Sequence, residues 1–268
     1  MGKPGYIFLI LALFALVSGA YALTKPTPVY ATDFSQNPSW TTNNPARNLW
    51  DRPTERYHYF LQDSTGAYVF KNIPYNGESF ILMFDCTPVR DDPLSNFRFG
   101  LGDNDMFPDD GVTIHFEMTN DNDGPIFWLH ALDRNLHRLE VNSLRSSYGG
   151  VTVHYTTNTT YHVKIDYNQP LKTVSIEVSR ADGVPVWNAA VTGTGSFSSI
   201  DRIYMTTLND VENAQSVAEG YVDNVHFSTY EILPDPTPES TGPTIATPDV
   251  TTLPTYEITQ VTVRTMTG

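Results

Sequence analysis

The feature that most restricts the fold is the stretch Thr160–Trp187, TYHVKIDYNQPLKTVSIEVSRADGVPVW. Tyr161, Val163, Ile165 and Tyr167 alternate with His162, Lys164, Asp166 and Asn168. After Asn168-Gln169-Pro170-Leu171 the pattern resumes, with Val174, Ile176 and Val178 set between Thr173, Ser175, Glu177 and Ser179. A period of two marks a strand with one dry face and one wet face. Two such runs around a Pro-containing turn predict an antiparallel hairpin, and Ala181-Asp182-Gly183 turns the chain again. One apolar sheet face has to be covered by another layer, so the hairpin predicts a β-sandwich.

The rest of the chain agrees. Strands are predicted over Val29–Phe34, Tyr57–Leu61, Ala67–Ile73, Phe80–Cys86, Phe97–Leu101, Val112–Met118, Ile126–Leu132, Leu136–Val141, Val151–Tyr155, Ile200–Thr206 and Tyr221–Phe227. Trp40 and Trp50 bracket a polar loop and are expected to pack its ends onto the domain. Phe80–Cys86 is apolar on both faces, which predicts a central, buried strand. About a dozen short strands and no amphipathic helix make the chain all-β, an antiparallel jelly-roll β-sandwich over roughly residues 29–231.

The two ends read differently. Lys3, the apolar run Tyr6–Val17 and then Ala20-Tyr21-Ala22 have the order of a secretory signal peptide, assigned to residues 1–22. The alternative is an uncleaved anchor, since the run approaches bilayer length. Pro234–Thr255 holds six Pro and seven Thr in 22 residues, so residues 234–268 are expected to form a disordered Thr/Pro-rich stalk and tail with no membrane-length run. Export predicts an extracellular, secreted or cell-surface protein.

A formal net charge of −14 argues against nucleic acid and against anionic membranes as partners. Cys86 is the only cysteine, so no internal disulfide can form. A small core residue is expected there, with a nucleophile or an intermolecular disulfide as the alternatives. Asn158-Thr159-Thr160 is the only glycosylation sequon, in a loop before a strand.

Four pieces of sequence resemble the concanavalin A-like lectin/glucanase superfamily, in its laminin-G-like branch. They are Asp33-Phe34-Ser35 with Trp40, the strand Tyr161–Tyr167 followed by Thr173–Val178, the turn Asp182-Gly183, and the closing Gly220-Tyr221-Val222-Asp223-Asn224-Val225. The resemblance implies that the opening and closing strands lie together and that Ca²⁺ joins them, with Asp33 and Asp223 as ligands. Alternation places Asp223 on one face with Tyr221, Val225 and Phe227, where a carboxylate needs a partner. The loop with Asp103, Asn104, Asp105, Asp109 and Asp110, and the turn Asp121-Asn122-Asp123-Gly124, are second and third candidate Ca²⁺ sites, but neither has the EF-hand spacing and both read first as solvated turns.

Glycoside hydrolases of that superfamily carry E-x-D-x-x-E on one strand, and this chain does not. Glu117 and Asp121 are the nearest approximation. G-x-S-x-G, H-E-x-x-H and the Walker loop are also missing from the sequence. The seven His read as surface or satisfied residues. A non-catalytic carbohydrate-binding or adhesion module is therefore expected, with glycans or cell-envelope polysaccharide and glycoprotein as partners. A glycan-cleaving enzyme with an unrecognised site and a structural envelope protein are the alternatives. Sugars dock on aromatic faces flanked by polar groups, and the candidates are Trp128, His130, Arg134, Arg98, Tyr148 and Asp85.

Overall fold

The computed structural model describes residues 22–23, 26–63, 66–103, 111–135, 137–144, 152–193, 195–207 and 215–233. The expected signal peptide up to residue 21, the stalk and tail from residue 234, and Tyr148, Asn104, Asp105, Asp109 and Asp110 lie outside them. Among the described residues strand accounts for 60% and helix for 1%, and the strands stack as two antiparallel sheets.

In chain order the strands are β1 (Ala22–Leu23), β2 (Thr27–Thr32), β3 (Thr41–Thr42), β4 (Leu49–Asp51), β5 (Arg56–Gln62) and β6 (Tyr68–Asn72). Then come β7 (Ser79–Asp91), β8 (Asn96–Gly102), β9 (Thr113–Asp121), β10 (Gly124–Leu132) and β11 (Arg138–Asn142). The series closes with β12 (Tyr161–Asn168), β13 (Thr173–Arg180), β14 (Pro185–Thr192), β15 (Arg202–Thr206), β16 (Val217–Tyr230) and β17 (Ile232–Leu233). One sheet has the order β11-β10-β9-β8-β15-β6-β3 and the other β14-β13-β12-β7-β16-β5-β4. The opening strand β2 pairs with the closing strand β16, Val225 opposite Thr32. β1 pairs with β17, so cleavage after Ala22 would remove one residue of that small ladder.

The organising hairpin forms as its alternation dictates. Tyr161, Val163, Ile165 and Tyr167 are buried, and β12 runs beside β7, the middle strand of its sheet. Between the sheets the core is largely aromatic. Phe84 meets Phe99 at 4.1 Å between ring centroids, Tyr59 stacks on Phe97 at 4.4 Å, and Cys86 Sγ lies 3.7 Å from Met118 Sδ. Cys86 is a buried free thiol, raised well above its usual range by burial. Trp40 packs into the core against Phe34 and Tyr57, and Trp50 donates to the Phe34 carbonyl at 2.8 Å.

Three readings of the sequence are corrected. Val151–Tyr155 is not a strand: over its described residues the backbone makes isolated bonds, Val153 N to Ser143 O and Tyr155 N to Pro125 O. Pro185–Thr192 is a strand that the reading did not assign; it pairs with β13 across a register shift. Asp223 does not share a face with Val225 and Phe227. The ladder to β7 steps from Asp223↔Asp85 to His226↔Met83, leaving one extra residue on β16, and Asn224 has φ 50. That bulge resets the alternation. Val222 before it and Val225 after it both enter the core, while Asp223 turns to the outer face.

Candidate functional site

The outer face of the β11-to-β3 sheet carries a dense set of polar side chains, and the strand register explains why. Inward positions of β8, β9 and β10 are Phe97, Phe99, Leu101, Ile114, Phe116, Met118, Phe127 and Leu129, all buried. The intervening residues therefore share the other face. Register then sets them in rows: Tyr204, Gly100, His115, His130 and Glu140 are opposite one another in turn across β15, β8, β9, β10 and β11. The next row is Thr206, Arg98, Glu117, Trp128 and Asn142. Directly opposed side chains on one face sit about 5 Å apart, so these groups must interact. Gly100 is required by the row it occupies. A Cβ there would overlap the Ile114 carbonyl oxygen and come within 2.5 Å of His115 Cα.

Glu117 is the centre of the network. One of its oxygens accepts from Asn96 Nδ2, and the other, Oε2, accepts from Arg98 Nε at 3.0 Å. His130 Nε2 lies 3.2 Å and His115 Nε2 3.7 Å from that same Oε2. These are ion-pair contacts, and His115 Nε2, His130 Nε2 and His130 Nδ1 are all buried without a fully formed hydrogen bond. His115 Nδ1 faces the Tyr204 hydroxyl at 2.9 Å and Thr113 Oγ1 at 3.1 Å. His130 Nδ1 is 3.5 Å from Glu140 Oε2, which also accepts from Arg138 Nε at 3.0 Å. Trp128 stacks on His130 at 5.3 Å and His130 on His115 at 4.8 Å, so three rings form a continuous pile.

The electrostatics follow from burial and partners. Burial opposes ionisation of Glu117, but the Arg98 guanidinium and the neighbouring imidazoles overcome it and hold the carboxyl well below its usual range. Burial pushes His115 down to about 3, so its imidazole is neutral. Burial also pushes against charge on His130, but Glu117 and Glu140 prevail and raise it. Glu140 is lowered, first by its contact with His130.

Above this network lies an open cleft of ≈ 360 Å³ between Trp128, Arg138, Glu140 and Asp121, with Arg98, Glu117 and His130 in its floor. Of the residues singled out from the sequence, the cleft brings Trp128, His130 and Arg98 together. Arg134 is exposed in the β10–β11 loop and does not line it. Asp85 is on the other sheet, held by His162 Nδ1 and by Asn224 Nδ2 at 2.8 Å. In the sequence Glu117 reads only as half of an acid pair with Asp121, and His115 reads, with the other His, as a surface or satisfied residue. The signal for it was available: a two-residue turn at Asn122-Asp123 fixes the β9–β10 register and puts His115 opposite His130.

Asp33 and Asp223, expected to share a cation, lie where β2 meets β16. Asp33 accepts from Ser35 N at 3.1 Å and Ser35 Oγ at 2.7 Å, which lowers it. Asp223 is raised to about 6, by burial first and then by the charges of Asp85 and Asp33, against the Asn224 amide and Arg56. The carboxylates are near enough to repel one another. Among the described residues, the grouping of three ligand atoms within 4.8 Å is His115, Glu117 and His130, not this acidic set. Asn158 is exposed, with φ 60.

No family model and no curated protein matches the chain at the level of sequence. Solved structures do match in fold. The CBM2 module of the evolved Dit protein of Lactobacillus casei BL23 phage J-1 aligns at TM-score 0.53 and 16% identity, over 78% of this chain and 98% of that one. Lectin UEA-II, determined in complex with galactose, aligns at TM-score 0.51 and 11% identity, over 78% of this chain and 100% of that one. Lectin II from Ulex europaeus gives the same values. The fold is a lectin-like β-sandwich.

Proposed function

We propose that residues 29–231 form a non-catalytic glycan-binding module of the laminin-G-like, concanavalin A-like kind, exported and acting in adhesion at the cell surface. The observation that carries this reading is the cleft over Trp128. A half-buried indole is flanked by Arg98 and Arg138 as donors and by Asp121 and Glu140 as acceptors, the mixture of flat apolar surface and oriented polar groups that sugars use. The folds it resembles include a carbohydrate-binding module and a lectin solved with galactose. Binding is favoured over cleavage by the state of the acids. Glycoside hydrolysis requires a carboxylic acid that stays protonated, and both glutamates of this cleft are held below their usual range.

The same reading gives an N-glycan on the exposed Asn158 and a stabilising Ca²⁺ held by Asp33 and Asp223. Their oxygen-only chemistry suits that ion, and the repulsion from Asp85 and Asp33 that adds to burial in lifting Asp223 is what a divalent cation would relieve. The functional test is a glycan array run beside a reducing-sugar release assay on the secreted protein. Retention of a glycan without release of sugar supports the module. Release of sugar assigns an enzyme instead, and neither retention nor release leaves an envelope structural role.

A further inference from the structure

His115, Glu117 and His130 each offer a ligand atom to one point beneath the cleft, with those atoms all within 4.8 Å of one another. We propose that this trio is a binding site for a divalent first-row transition metal, with Zn²⁺ as the ion it fits best, held by the two Nε2 atoms and a Glu117 oxygen. The proposal goes beyond the glycan reading and does not rest on it.

The geometry comes from the sheet. His115 and Glu117 are two residues apart on β9 and so project from one face, and His130 is directly opposite His115 on β10. The cleft lies on the same side of the sheet as these side chains. Glu117 and His130 line that cleft, which supplies an entry path, whereas His115 is completely buried below them. Two imidazoles and one carboxylate select a borderline-soft transition ion over Ca²⁺, which takes oxygen ligands.

The second observation is the orphaned nitrogens. Both Nε2 atoms are buried with no hydrogen-bond partner, a costly state for a polar atom unless something else occupies its lone pair. The far side of the His115 ring is already engaged, and that of His130 faces a carboxylate without a hydrogen bond. With Nδ1 protonated and donating to the Tyr204 hydroxyl oxygen at 2.9 Å, His115 presents a bare lone pair at Nε2. His130 Nδ1 is 3.5 Å from Glu140, the carboxylate–histidine arrangement that orients and strengthens a metal-binding ring. Arg98 is the opposing charge. It bonds Glu117 Oε2 at 3.0 Å, a carboxylate oxygen carries two lone pairs, and the cleft lining offsets the guanidinium with Glu117, Asp121 and Glu140 against Arg98 and Arg138.

The test uses the full secreted chain, stripped with chelator and titrated with Zn²⁺ or Co²⁺. The expected result is a rise in melting temperature that saturates at one Zn²⁺ per chain. Co²⁺ should give visible absorption bands of an N/O site, and X-ray absorption at the Zn edge should show two imidazoles. Glu140 is exposed, so Glu140→Gln keeps the fold, and it should weaken Zn²⁺ by about 10- to 100-fold through its effect on His130. His130→Gln should abolish the response, and His137→Gln, at an exposed imidazole, should leave it intact. If His130→Gln does not fold, Glu140→Gln and the imidazole count decide. A melting curve unmoved by Zn²⁺, a site without two imidazoles, or an affinity indifferent to Glu140→Gln would overturn the proposal. Glycan retention by the metal-free protein is measured separately and bears only on the glycan reading.

Discussion

The two outer faces of the sandwich treat their carboxylates in opposite ways. On the face of the β11-to-β3 sheet, Glu117 is buried but stays ionised, because the Arg98 guanidinium and the imidazoles of His115 and His130 overcome its burial. On the face of the other sheet, Asp223 is less buried yet is raised to about 6, by burial first, with the charges of Asp85 and Asp33 adding to it. Between them stands Asp166, whose partner is the neutral Tyr230 hydroxyl at 2.7 Å; burial raises it. Burial by itself does not set the state of an acid in this protein. Burial raises each of the three, and only Glu117 has a partner of opposite charge strong enough to overcome it.

The largest expected effect lies at Glu117. Glu117→Gln leaves the buried Arg98 guanidinium without its carboxylate, and denaturant unfolding at neutral pH should show a loss of about 3–5 kcal/mol, the scale for breaking a buried ion pair. A loss below about 1 kcal/mol would mean that the pair is solvated and would erase the contrast between the faces.

At Asp223 the sign reverses. A carboxyl raised above its unfolded value binds more protons in the native state, so stability falls as pH rises from about 4 to about 6 and then levels. Asp223→Asn, measured without divalent cations, should flatten that fall and stabilise at pH 7 by on the order of 1 kcal/mol after allowing for its partial exposure. Ca²⁺ at Asp33 and Asp223 would do the same for the wild type. Added Ca²⁺ should raise the melting temperature and EDTA should lower it, with the Asp223→Asn protein responding to neither. A wild-type melting curve blind to both removes the ion from the account.

Asp166 sharpens the comparison with the smallest change. The Tyr230 hydroxyl can donate to an amide oxygen as well as to a carboxylate, so Asp166→Asn should shift stability at pH 7 by only about 0.5 kcal/mol. It should also reduce the decline in stability as pH rises through the raised pKa. A large destabilisation would show that Tyr230 needs the charge.

Much of the sandwich was legible because alternation survives in the sequence wherever one face is wet. Tyr161–Val178 gave its hairpin, and Phe80–Cys86 gave its central place. Asp223 was misread for a physical reason: one bulged residue at Asn224 reverses the faces, and period-two counting cannot see it. The candidate site was half visible. Trp128 and His130 stand out on one strand, and Arg98 was included with them. His115 and Glu117 also alternate with Ile114, Phe116 and Met118, and so had the look of a solvated edge. Their burial comes from neighbours on other strands, brought in by register. Arg138 and Glu140 belong to the cleft because β11 lies beside β10; the hairpin around Asp133-Arg134-Asn135 is readable in the sequence, but the loop does not fix the register that sets Glu140 opposite His130.

The central claim is that the ligand face is the one carrying Trp128. Titration calorimetry with the best array glycan, on wild type, Trp128→Ala and Asp166→Asn, tests it most directly, with circular dichroism to verify folding. The account predicts that Trp128→Ala weakens binding by about tenfold or more, roughly 1.4 kcal/mol, and that Asp166→Asn on the opposite face leaves affinity unchanged. Wild-type affinity in Trp128→Ala, or a loss in Asp166→Asn alone, would contradict it and move the ligand to the other sheet.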